Sequence, residues 1–192
     1  MTSKPGERKL QILQTVAQML EQPKSEKITT AALAERLDIS EAALYRHFAS
    51  KAQMFEGLIE FIEQTVFGLI NKITQEEKSG VKQVEEIVAM LFNFAQKNRG
   101  MTRVLTGDAL VNENERLQQR INQLLDRIEA TLKQSLRIAA TQGELGEAVD
   151  VGAYSNLLVC YVIGRWQQFA KSGFTREPMA QWPAQLSILL HE

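Results

Sequence analysis

Apolar positions repeat with the period of a helix almost from one end of the chain to the other. Leu10, Leu13, Val16, Ala17 and Leu20 define a first helix over about 7–21, and QPKSEK then breaks the pattern. Two short helices follow. Thr29 or Thr30 can cap one that carries Ala31, Leu33, Ala34 and Leu37, and Ser40 can cap another that runs through Glu41 to Phe48. Ser50 opens a much longer one. From Lys51 to about Glu77, the residues Phe55, Leu58, Ile59, Ile62, Val66, Leu69, Ile70 and Ile73 keep the period without interruption. Beyond Ser79 and Gly80, a fifth helix carries Val84, Ile87, Val88, Leu91 and Phe92 and ends at Asn98, Arg99 and Gly100. The pattern then predicts a short helix around Met101 to Thr106 and a long one from about Asn114 to Thr141. After the loop QGELGEAVD come a strongly apolar helix from about Val151 to Lys171 and a last one near Met179 to Leu190.

Composition agrees with an all-α fold: 11 glycines and 4 prolines in 192 residues, few of them inside the periodic stretches. The length allows one domain or two, and the long fourth helix suggests a division into 1–52 and 53–192. A net charge of -1 is no signature of a nucleic-acid binder, so the distribution of charge matters more than its sum. Residues 1–55 hold eight Lys and Arg against six Asp and Glu, which leaves 14 against 17 for the rest of the chain. That asymmetry permits DNA binding without establishing it. A single cysteine, Cys160, excludes an intramolecular disulfide and a cysteine-rich metal site, and its apolar neighbours predict a buried thiol in a reducing cytoplasm. No apolar run approaches the roughly 20 residues of a membrane span, and MTSKPGERK lacks the apolar core of a signal peptide.

The segment from Ile28 to Lys51 has the layout of a helix-turn-helix: two short helices joined by a tight connection. Leu33, Ala34, Leu37, Ile39, Leu44 and Phe48 can meet in a small core, and the small Ala34 allows a close, steep crossing. Ser40, Glu41, Ala42, Ala43, Tyr45, Arg46 and His47 then point outward. A helix that enters the major groove must be narrow at its leading end, and Ser40, Ala42 and Ala43 are small. Base contact is expected from Ser40 and Ala42, and phosphate contact from Thr29, Thr30, Tyr45 and Lys51. Arg46 and His47 suit either role. Glu41 could accept a hydrogen bond from cytosine or merely repel phosphate.

At these residues the sequence resembles the TetR family, in which a Tyr-x-x-Phe followed by a Lys closes the DNA-binding region; Tyr45, Phe48 and Lys51 match. The resemblance implies three N-terminal helices forming a helix-turn-helix domain, joined by a long fourth helix to a C-terminal helical dimerisation domain. LIEFIEQ, RGMTRVLTGDAL and RLQQRINQLLDRIEATLKQ further resemble the SlmA-type nucleoid occlusion factors. Such factors bind dispersed chromosomal sites on double-stranded DNA and, when DNA-bound, antagonise assembly of the division protein FtsZ over the nucleoid. The alternative is a ligand-responsive repressor of the TetR type.

One helix-turn-helix reads few base pairs, so a two-fold homodimer that places two of them about 34 Å apart is expected. Leu157, Leu158, Tyr161, Val162, Trp166 and Phe169, apolar all round their helix, are the candidate seam, with Gly152 and Gly164 permitting close approach. For the second partner, the SlmA-type resemblance implies that the C-terminal tail of FtsZ docks near the fourth and fifth helices, with Phe61, Met90, Lys97 and Asn98 as candidates. Two histidines far apart, His47 and His191, and no glycine-rich phosphate loop give catalysis no foundation. No metal or cofactor is expected, and the predicted location is the cytoplasm, on the nucleoid.

Overall fold

The computed structural model describes residues 5–22, 28–111 and 113–190, and these are helical with no strand among them. The elements are α1 (Pro5–Leu20), α2 (Thr30–Arg36), α3 (Glu41–Tyr45), α4 (Lys51–Glu76), α5 (Gly80–Lys97), α6 (Arg99–Leu105), α7 (Glu115–Thr141), α8 (Val151–Lys171) and α9 (Trp182–Leu190). Single 3-10 turns at Asp108–Leu110 and Pro178–Gln181 precede α7 and α9. The fold is all-α, and the long periodic segments sit within a residue or two of where their apolar spacing places them. His191 and most of the QPKSEK break lie outside the described residues.

The chain forms two compact units that do not follow a division at residue 52. One runs to Ile62 and takes in Asn98–Ile121; the other comprises Glu63–Lys97 and everything from Asn122 onward. The reason lies in α6, which packs on α1. Gly100 is not the helix terminator its position suggests. It is the second residue of α6, and a Cβ there would stand 1.9 Å from the carbonyl oxygen of Ala17. Only glycine permits that approach of two backbones. Buried Ile12, Val16 and Leu20 of α1, Leu33 and Leu37 of the α2 region, and Val104 and Leu105 of α6 contribute to the core of this unit.

In the second unit α5 is the central element, in contact with α8, α9 and the turn that precedes α9. Phe92 meets Tyr161 and Trp182 edge-on, each at 5.6 Å between ring centroids, and the Trp166 indole N–H donates to the Leu91 carbonyl at 3.3 Å. Buried Gln83 accepts from the Ser135 hydroxyl at 2.8 Å and donates to the Glu77 carbonyl at 2.9 Å, so neither polar side chain is left unsatisfied. The end of α7 and the loop after it cap the first turn of α5. Gly80 N–H donates to Gln142 Oε1 and Val81 N–H to Glu144 Oε2, both at 3.0 Å. The Val81 N–H holds the Glu144 carboxyl below its ordinary range, because it binds the charged form.

α8 is not apolar all round. Ser155, Leu158, Val159, Val162, Trp166, Phe169 and Ala170 form a buried stripe, while Ala153, Asn156, Leu157, Cys160, Gly164, Gln168 and Lys171 are exposed. Cys160, expected inside, is on the outer face.

Candidate nucleic-acid interface

The helix-turn-helix is built from two caps and one strained residue. Thr29 caps α2, its hydroxyl oxygen accepting from Ala32 N–H at 3.1 Å, and Ser40 caps α3 by accepting from Ala43 N–H at 3.2 Å. Between them run Leu37, Asp38 and Ile39. Asp38 takes φ 52°, the left-handed conformation that Asp tolerates better than most residues, and Ile39 N–H returns to the Ala34 carbonyl at 3.0 Å. Leu33, Ala34, Leu37, Leu44 and Phe48 are buried, whereas Ile39 is half-buried. α3 stops at Tyr45, shorter than the expected run to Phe48, because a turn there tucks Phe48 inward before α4 begins. Ser50 and Gln53 both cap the start of α4: the Ser50 hydroxyl accepts from Gln53 N–H, and the Gln53 side chain reaches back past Ser50 to accept from Ala49 N–H at 2.8 Å.

Ser40, Glu41, Ala42, Tyr45 and Arg46 are exposed together on α3, with Ala43 and His47 half-buried beside them. Tyr45 has 47% of its surface open. The leading end of this face carries nothing larger than Glu41, so a groove brought up to it would meet backbone and short side chains before any bulky group. The caps use the oxygen lone pairs of Thr29 and Ser40 and leave each O–H proton for an outside acceptor. Thr30 differs. Its hydroxyl donates to Glu41 Oε2 at 2.6 Å, and the Tyr45 hydroxyl stands 3.5 Å from Thr30 Oγ1.

Lys51 also departs from expectation. Its ammonium is bound to the Glu113 carboxylate and lies 5.7 Å from the centre of the Phe55 ring. A phosphate would have to compete with Glu113 for it. The pairing spans 62 residues, and no local signal in the sequence announces it.

Phe61, on α4 in the first unit, has 39% of its surface exposed. In the second unit Met90 is half-buried on α5 and Lys97 is exposed in its last turn. Asn98, half-buried, takes the N-cap position of α6. Of the expected dimer seam, Leu158, Val162, Trp166 and Phe169 are corrected to core: each is within 1% of fully buried inside its own chain and has no surface to offer. Tyr161 is half-buried, its hydroxyl bonded to Gln185, and Leu157 alone of the six is open, at 53%. The exposed stripe that includes it, Ala153, Leu157, Cys160 and Gly164, has helical spacing and was readable from sequence once the phase of α8 was known. Among the described residues no group of three or more His, Cys, Asp or Glu could hold a metal, and no helix is long and apolar enough to cross a membrane.

Residues 12–58 match the family described as bacterial regulatory proteins, tetR family, and residues 78–192 match the SlmA-like form of the tetracyclin repressor-like C-terminal domain. The nucleoid occlusion factor SlmA of Marinomonas sp. (strain MWYL1) is 49% identical over 98% of this chain and 96% of its own. That of Alteromonas mediterranea is 49% identical over 95% and 93%. The chain belongs to the TetR family, in its SlmA group. Its backbone also superposes on the TetR family transcriptional regulator PfmR of Thermus thermophilus, with a TM-score of 0.77 over 93% of this chain and 96% of that one at 21% identity, a likeness of fold. The TetR match begins inside α1 and ends inside α4, and so covers the caps, the Asp38 turn and the whole exposed face of α3.

In this TetR-type head the Lys51–Glu113 pair makes one expectation sharp. Glu113→Gln removes the internal competitor for the ammonium, so DNA affinity should rise and the dependence of log K on log salt should steepen by up to about 0.9, one phosphate's worth. Lys51→Ala should abolish that gain. Salt titrations of binding on the two single variants and the double variant measure it. An unchanged slope in Glu113→Gln would leave Lys51 a purely structural residue.

Proposed function

We infer that the chain is a sequence-specific DNA-binding nucleoid occlusion factor that, once on DNA, antagonises assembly of FtsZ polymers over the chromosome. The observation that carries this reading is the extent of the likeness to the SlmA relatives. At 49% identity overall it spans 98% of the chain, and a separate SlmA-like match covers residues 78–192, the part in which a TetR-type chain differs from one function to another. The head supplies the DNA-binding half: a capped, narrow-ended α3 with its polar face open. Ser40 and Ala42 lead it into the major groove, Thr29, Tyr45 and Lys51 serve the phosphates, and Arg46 and His47 flank them.

The FtsZ half rests on α4 and α5. Phe61, in the first unit, offers an exposed ring as an apolar anchor; Lys97, in the second, offers a cation in the last turn of α5; each by itself is a group that an extended acidic peptide such as a C-terminal tail can use. Met90 and Asn98 complete the candidate set.

Two heads must be carried together for a palindromic site, and the outer face of α8 supports a homodimer better than the buried stripe does. Leu157 lies there beside Cys160 and Gly164, with open space over Gly164. A groove of about 420 Å³ adjoins it, lined by Leu145, Val149, Tyr154, Leu157 and by Ile188 of α9, which is 78% exposed. A second copy of the same face would cover the exposed Leu157 and Ile188 side chains. Leu157→Glu is accordingly expected to shift the protein to monomer in sedimentation velocity while far-ultraviolet ellipticity stays unchanged. A variant that remains dimeric at micromolar concentration would move the seam elsewhere.

The functional reading is tested by sedimenting FtsZ polymers formed with GTP, with the protein added in the presence and absence of chromosomal fragments selected for binding it. Polymer should be lost when the selected DNA is present and largely retained without it. Polymer unaffected despite confirmed DNA binding would contradict occlusion and point to a ligand-controlled repressor.

A further inference from the structure

Glu41 is the only acidic residue of α3, and it stands exposed at the leading end of the helix that meets DNA. An anion at that place is unfavourable beside phosphates unless something in the groove donates a hydrogen bond to it. A loose glutamate would swing toward solvent and avoid the problem. This one is fixed. Thr30, eleven residues earlier on α2, donates its hydroxyl to Oε2 at 2.6 Å, a short charge-assisted bond. Tyr45, one turn along α3, stands 3.5 Å from the same Thr30 oxygen, where its hydroxyl can donate in turn. Thr30 thus occupies one of the two carboxylate oxygens, and the Tyr45 hydroxyl is directed at Thr30.

We propose that Thr30 positions Glu41 so that its second oxygen accepts the N4 amino group of a cytosine in each half-site, which makes Glu41 a determinant of operator sequence. This rests on the reading of α3 as the groove-entering helix. The choice of base follows from the edges exposed in the major groove. Guanine presents N7 and O6, both acceptors, and thymine presents O4 and a methyl group; both disfavour a carboxylate. Adenine offers the N6 donor beside the N7 acceptor, a pair that fits an amide. Cytosine offers a donor with no neighbouring acceptor in the groove. Thr30, with its proton committed to Glu41, is then a positioning residue and not the phosphate donor its place at the start of α2 suggests.

The test is selection of binding sites from a random duplex library by the full-length protein, for the wild type, Glu41→Gln, Thr30→Val and Thr30→Ser. The wild type should require cytosine at one position of each half-site, preferred about tenfold over other bases. Glu41→Gln should keep the rest of the site and change that position to adenine, because the amide serves N6 and N7 together. Thr30→Val should reduce the cytosine preference to about threefold or less, leaving the other positions intact, and Thr30→Ser should restore it. A wild-type site with no cytosine requirement, or an identical consensus in wild type and Glu41→Gln, overturns the proposal while leaving α3 as the reading helix. A wild type that selects no consensus at all overturns it differently, by removing the sequence-specific reading on which it stands.

Discussion

A helix of five residues does not hold itself together in water. Its nucleus fixes more torsions than its hydrogen bonds repay, so α3 exists because the rest of the head closes around Leu44. Full burial of that side chain contributes about 2–3 kcal/mol, against about 1 kcal/mol for the Ser40 cap. Packing therefore decides whether the helix forms, and the cap decides where it starts. The left-handed Asp38 then sets the direction in which α3 leaves α2. The candidate contacts from Ser40 to His47 take their positions from that small core.

Electrostatics in this molecule works at short range. With a net charge of -1, and a head only slightly more basic than the rest, steering of DNA from a distance is weak, and contact geometry has to supply the selectivity. The two carboxylates that matter act in opposite ways. Glu113 neutralises Lys51, a cation that a phosphate would otherwise meet directly. Glu41, fixed by Thr30, gives α3 an acceptor that most base edges reject. In the proposed reading the first moderates overall affinity and the second sharpens choice, and only the second carries sequence information. In the second unit the polar interactions serve the fold: Gln83, Ser135, Gln142 and Glu144 satisfy backbone and each other around the start of α5.

Much of this was legible in the sequence wherever a local rule applied. The period of the apolar residues places α4, α5, α7 and α8 closely, and Thr29, Ser40 and Ser50 sit where caps are needed. What could not be read was non-local. Gly100 resembles a helix stop; its purpose is the approach of Ala17 from a distant helix. Lys51 fits a phosphate contact in every local respect, and its partner Glu113 lies in a separate segment. The apolar content of α8 is high on all sides, so composition cannot tell the inward stripe of Leu158, Val162, Trp166 and Phe169 from the outward Leu157 and Cys160. The difference is one of helical phase, and packing sets that phase.

The proposed function requires that the leading end of α3 enter the groove of DNA. Its most direct test is the affinity of Ala42→Trp for a selected operator, measured by fluorescence anisotropy at fixed salt, with dimer content and ellipticity recorded on the same sample. Ala42 is exposed and belongs to no core, so the fold should survive while the indole blocks entry. Affinity is expected to fall at least about a hundredfold, toward the level of non-specific DNA. Wild-type affinity in a folded Ala42→Trp dimer would mean that α3 is not the helix that enters the groove.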